Sequence, residues 1–180
     1  KGESPCLTGM KRTRLKTLLL HDMSLLAYHL PLDAHPVLGN NAGLAKALGI
    51  VTEGELGFSG VGNFGYLQAP ENVQDFTHRL QNVLGRAPQH ISGGKRQIKS
   101  VAWCSGGAQD GIERAVELGV DAYISGEISE RTVHVAREAG VDYFAAGHHA
   151  TERLGVQALG GHLEKQFGLQ HQYIEIANPV

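Results

Sequence analysis

Apolar positions recur along this chain in two rhythms, and the change between them marks its elements. From Ile98 onward short apolar runs alternate with stretches of helical period, the spacing expected of βαβ units. Ile98–Cys104 reads as a strand and Ser105–Asp110 as a small-residue loop. Gly111–Leu118 reads as a helix with Ile112, Ala115 and Val116 on one face and Gly119 as its stop. After a strand at Asp121–Ile124 a repeat appears. Gly119-Val-Asp-Ala-Tyr-Ile-Ser-Gly126-Glu and Gly140-Val-Asp-Tyr-Phe-Ala-Ala-Gly147-His each read as helix stop, strand, glycine turn and new helix. Two such copies suit adjacent parallel strands joined by short crossovers. A last helix is expected from about Ala150 to Phe167, with a closing strand at Gln172–Ile176.

Before Ile98 the pattern predicts a helix over Arg12–Leu20 and a strand over Leu25–His29. Pro31 and Pro36 then argue against helix and central strand alike, placing Asp33 and His35 on a stiff loop. Asn40 or Asn41 can cap a helix over Ala42–Leu48 that Gly49 ends, and Glu71–Leu84 is a further helix stopped by Gly85. Between them the glycine- and aromatic-rich Gly54–Ala69 predicts a hairpin. Every glycine turn that follows a strand lies at one edge of a parallel sheet, where open α/β folds collect ligands. The turns at Cys104–Gly107, Gly126–Glu130 and Gly147–Glu152 are therefore expected to converge.

Composition narrows the class without deciding it. The chain has 180 residues, 42% of them hydrophobic, enough for a sizeable core, and a formal charge of −2 that counts against nucleic acid as a partner. No apolar run approaches the ~20 residues a membrane helix needs. Cys6 and Cys104 are too few for a disulfide framework, so a reducing, cytoplasmic setting is expected. The chain opens Lys-Gly-Glu-Ser-Pro with no initiator methionine, which reads as a start in mid-domain.

The sharpest chemical signal is His148-His149-Ala-Thr-Glu152. Residues four apart share a helix face, so His148 and Glu152 could bind one ion, although a capping histidine and a surface carboxylate fit the same spacing. Asp33 on its proline-bracketed segment is a second candidate, with a turn aspartate as the alternative. Gly60-Val-Gly62-Asn-Phe-Gly65 matches a dinucleotide fingerprint in letters but lacks the helix that must follow, and Pro70 forbids one; a glycine-rich bend is the better reading. Cys104 and Ser105 have no adjacent base and are not read as nucleophiles.

At His29-Leu-Pro-Leu-Asp33-Ala-His35-Pro and Gly147-His148-His149-Ala-Thr-Glu152 the sequence resembles the YbgI-like family, dinuclear-metal proteins labelled GTP cyclohydrolase type 2 homologues. Gly39-Asn-Asn-Ala, Ala102-Trp-Cys-Ser-Gly-Gly107 and Ser125-Gly-Glu-Ile-Ser-Glu130 fit as well. The resemblance implies an α/β fold of two interwoven lobes, its C-terminal part a parallel-type βαβ sheet with helices packed on it. Residues 1–50 and 101–180 would build the metal-site lobe and 51–100 a smaller second lobe. It further implies a toroidal homohexamer and two divalent ions, zinc, manganese or iron, with Asp33, His148 and Glu152 as ligands. The family's other ligands come from an adjacent histidine pair after an early strand, which has no equivalent here since His148-His149 belongs to the other motif, so the site is expected to be incomplete. The implied activity is metal-dependent hydrolysis of a small polar or nucleotide-like substrate, with His29, Glu127 and His149 as candidates for proton transfer or ligand support. The alternative is a metal-stabilised oligomeric scaffold without turnover.

Overall fold

The structure, a computed structural model, describes residues 4–58 and 60–180; the first three residues of the opening Lys-Gly-Glu-Ser-Pro stretch lie outside them. Six strands form one mixed sheet. In chain order they are β1 (Ile50–Phe58), β2 (Val61–Asn72), β3 (Gln89–Ile91), β4 (Gln97–Cys104), β5 (Ala122–Ser125) and β6 (Asp142–Ala145). They lie in the order β1-β2-β4-β5-β6-β3. The repeat is the reason for the parallel centre, since its two copies supply β5 and β6, which pair in parallel with each other and with β4. The remaining pairings are antiparallel.

Alternation along the central strands sends side chains to two cores. Val101, Trp103, Ala122, Ile124 and Phe144 face one side, under the helices α3 (Asn40–Leu48), α4 (Val73–Leu84) and α7 (His148–Phe167). Ala102, Cys104, Tyr123, Tyr143 and Ala145 face the other, under α5 (Ile112–Leu118) and α6 (Glu130–Ala139). Every residue of β5 and β6 is buried, as expected of parallel strands covered on both faces. On α4, Phe76, Leu80 and Leu84 supply the inward stripe at i, i+4, i+8. The helix stops expected at Gly49, Gly85 and Gly119 are left-handed C-caps.

Several expectations change. Leu25–His29 forms no strand and pairs with none of the sheet strands among the described residues. Pro31 does not exclude helix: it occupies the first turn of a short helix, α2 (Leu30–Ala34), where a missing N–H costs nothing. Asp33 therefore sits on a helix, not a loop. Asn40 and Asn41 are the first helical residues of α3 and Gly39 is its N-cap. Strand β2 continues through Pro70 as far as Asn72, with a register irregularity against β4 between Tyr66 and Glu71, and α4 starts only at Val73. Residues 172–176 form no strand. Gly60–Gly65 lies at the turn and start of β2, where a Cβ on Gly65 would come within 2.0 Å of the Val51 carbonyl oxygen; close strand approach explains that glycine. Segment 51–100 contributes β1 from Val51 onward, β2, β3 and half of β4 to the common sheet. The helix α1 (Gly9–Leu20) buries no residue, and no helix among the described residues is long and apolar enough to cross a membrane.

Candidate functional site

The parallel strands β4, β5 and β6 end in step, so their three turns meet at one edge of the sheet. Gly126 N–H bonds the Gly106 carbonyl, and Gly147 N–H bonds the Gly126 carbonyl. This ladder of turns continues the sheet by one rung and fixes where α7 begins. His148 is the first residue of α7, and Glu152 follows one turn later on the same face.

Three side chains then interlock. His148 Nδ1 lies 2.6 Å from Glu127 Oε1, and its Nε2 lies 3.2 Å from Glu152 Oε2. Burial pulls the His148 pKa down, but bonds to Glu127 and the charges of Glu152 and Glu127 outweigh it and hold the imidazolium above its ordinary range. Burial raises the Glu152 pKa; His148 opposes this and the charge of Asp33 adds to it. Asp33 is 6% exposed and takes two hydrogen bonds on Oδ1, from Asn40 Nδ2 at 2.8 Å and from Ser105 Oγ at 3.2 Å. Its Oδ2 takes none among the described residues. Both carboxylates also act on Cys104, whose thiol is pushed up to about 12 by burial first and then by Asp33 and Glu152. A thiol so held stays protonated, and Ser105 spends its hydroxyl on Asp33, so neither is poised as a nucleophile.

The space between these groups exists because residue 106 is glycine. Its φ is +69°, and a Cβ there would stand 2.1 Å from Glu152 Oε1 and 3.1 Å from His148 Nε2. Buried Thr151 ties the same turn to α7, accepting from Gly106 N–H at 3.0 Å and donating to the Gly147 carbonyl at 2.9 Å.

The other candidates divide. Glu127 touches His148 directly. His149 is bonded instead to Glu175 in the C-terminal segment, at 2.8 Å, and that segment bonds Arg86 and the His149 amide through the Pro179 and Val180 carbonyls. His29 is exposed at the N-cap of α2, near enough for its charge to favour ionised Glu152. Between the segment and α7 runs a cleft of about 580 Å³ lined by His148, His149, Glu152, Arg153 and Tyr173 among others. Four residues were not read from the sequence as part of this site: Asn40, Asn41, Gly106 and Thr151. Thr151 lies inside the His-His-Ala-Thr-Glu motif and was visible there. The asparagines look like caps, and only their burial, 4% and 1%, reveals another role.

The residues fit an ion in chemistry. Two carboxylates and one imidazole are a donor set for zinc, manganese or iron. Glu127 on Nδ1 leaves Nε2 of His148 as the ligating nitrogen, the usual support for a metal-bound histidine. The Gly106 space is a cradle that a single methyl group would fill. Among the described residues, however, no three His, Cys, Asp or Glu side chains are grouped closely enough to hold an ion by themselves.

The sequence profile of Duf34/NIF3 (NGG1p interacting factor 3) matches residues 2–179. A protein of Pseudomonas aeruginosa called GTP cyclohydrolase 1 type 2 homolog is 52% identical over all of this chain and 72% of its own length. Its namesake in Escherichia coli is 48% identical over 100% and 72%. Among solved structures, the protein ybgI, described as of unknown function, superimposes with a TM-score of 0.96 at 48% identity over 100% of this chain and 72% of its own. TTHA1606 from Thermus thermophilus gives 0.88 at 32% identity over 99% and 72%.

Proposed function

This chain belongs to the Duf34/NIF3 family, and on that premise we propose that it supplies Asp33, His148 and Glu152 to a dinuclear metal site that hydrolyses a small polar, nucleotide-like molecule. The observation that carries this reading is the pairing of His148 and Glu152 around the side-chain-free Gly106, with the charge of buried Asp33 acting on Glu152. Bound there, a metal pair would supply a water of lowered pKa and polarise a substrate oxygen.

The chain's own residues do the rest. Glu127 holds His148 in one orientation through Nδ1. Asn40 and Ser105 hold one oxygen of Asp33 and leave the other free to bind. Partly exposed Glu127 is the group best placed to accept a proton beside the ligands. The adjoining cleft of about 580 Å³ is of the size that encloses a small ligand, with Tyr173 and Arg153 offering a ring face and a cation. The name of the relatives, GTP cyclohydrolase 1 type 2 homolog, makes purine nucleotides the first substrates to try.

The test is an assay of manganese- and zinc-loaded protein against nucleotides and their free heterocycles, beside Glu127→Gln. The expected result is metal-dependent turnover of at least one compound, reduced about 100-fold or more in the variant. Metal binding without turnover of any compound would leave a scaffold role, with the ions serving architecture alone.

A further inference from the structure

Asn40 occupies a position that a helix cap does not explain. It is buried in the first turn of α3, and its carboxamide faces two elements at once. Nδ2 donates to Asp33 Oδ1 at 2.8 Å, while Oδ1 accepts from the Gly155 N–H of α7 at 2.6 Å. Gly155 stands three residues after Glu152 and seven after His148, so it is the next turn of the face that carries both. Two glycines make the approach possible. A Cβ on Gly155 would stand 2.6 Å from Asn40 Oδ1, and one on Gly43 would stand 3.0 Å from Leu154 Cβ.

Only asparagine meets both demands at this reach. Aspartate has no donor for Asp33, leucine has neither group, and glutamine is longer by one methylene. The neighbouring Asn41 serves differently, because its side chain bonds the Asp33 carbonyl and the Ser105 N–H, and its own carbonyl accepts from Trp103 Nε1. Asn41 thus anchors backbone, whereas Asn40, alone among the described residues, bonds the Asp33 carboxylate and α7 together.

We propose that Asn40 is a positioning residue that couples the Asp33 carboxylate to helix α7 and thereby sets the separation of Asp33 from His148 and Glu152. This rests on the reading of those three residues as a shared ligand set. A merely structural Asn40 would affect stability alone. A positioning Asn40 also governs metal affinity and the direction of the Asp33 carboxylate.

The experiment compares Asn40→Asp, Asn40→Leu and Gly155→Ala with the unaltered chain by zinc titration calorimetry and by crystal structures of the metal-free proteins. Each variant is expected to lose about tenfold or more in zinc affinity, the scale for groups that orient a ligand. In Gly155→Ala this comes despite the better helix propensity of alanine. The metal-free structures are expected to show the Asp33 carboxylate turned from its present direction with α7 unmoved. Unchanged zinc affinity in Asn40→Asp and Asn40→Leu, or an unmoved Asp33 carboxylate in all three structures, overturns the proposal. If the unaltered chain takes up no zinc, the ligand reading fails, and the metal-free structures still decide the coupling.

Discussion

Residues 4–30 and the sheet centre are both rich in apolar side chains, but they place them in opposite surroundings. Leu19, Leu20, Leu25 and Leu26 are 80%, 71%, 73% and 75% exposed, and α1 buries nothing. In β5 and β6, by contrast, even Ser125 and Asp142 are wholly buried. The sheet centre is packed on both faces by this chain's own helices, so the turns that carry Gly106, Glu127 and His148 are held without help. The leucines at the front have no such cover. Exposed apolar side chains of that kind mark an interaction face, and we propose that they serve self-association, in line with the homo-oligomer that the resemblance implies.

The contrast should show first in stability. Trp103→Ala removes a wholly buried ring and its bond to the Asn41 carbonyl, and is expected to cost about 3–5 kcal/mol in denaturant unfolding. Leu19→Ser should stay within about 0.5 kcal/mol and lower the mass seen by light scattering. Equal costs would erase the distinction between the regions. Next in size is Gly106→Ala, whose Cβ takes the space beside Glu152 Oε1; zinc affinity should fall about 100-fold or more while the fold is kept. Retention of affinity in calorimetry would show that the cradle is not where the ion sits.

The two thiols sharpen the comparison further, because one lies in each region. Cys6 is exposed, whereas Cys104 is buried and its thiol is pushed up to about 12. Iodoacetamide at neutral pH should label Cys6 alone in the native protein and both after unfolding, as mass spectrometry would show. The smallest effect is on pH dependence. Because the His148 pKa is raised above 6.5, the stability it contributes is fully present below that value and is lost as the pH climbs through the raised pKa. Glu152, also raised, has the same sign. The melting temperature of metal-free protein should therefore decline slightly from about pH 6 to about pH 8, and less so in His148→Gln. Zinc should reverse the slope, since protons compete with the metal for the imidazole.

Much of the sheet was legible because its signals are local. The Gly-Val-Asp repeat with its glycine stops encodes strand, turn and helix within a few residues, and the convergence of the turns follows from parallel pairing. What failed was context. Leu25–His29 has the composition of a strand but no neighbour to pair with, and Gln172–Ile176 fails likewise. Pro31 has the signature of a helix breaker in sequence, but it falls in the first turn of α2, where proline is tolerated. In the site, His148 and Glu152 could be paired by helical spacing alone. Asp33 could be joined to them only through the resemblance, and Asn40 not at all, since its two partners lie seven and 115 residues away.

The central claim is that Asp33, His148 and Glu152 serve one metal site. Anomalous diffraction at the zinc edge from crystals of this chain soaked in zinc tests it most directly. The expected result is a peak about 2.0–2.2 Å from Nε2 of His148 and from a Glu152 oxygen, with an Asp33 oxygen on that ion or on a second within about 4 Å. A peak that touches none of the three residues would contradict it.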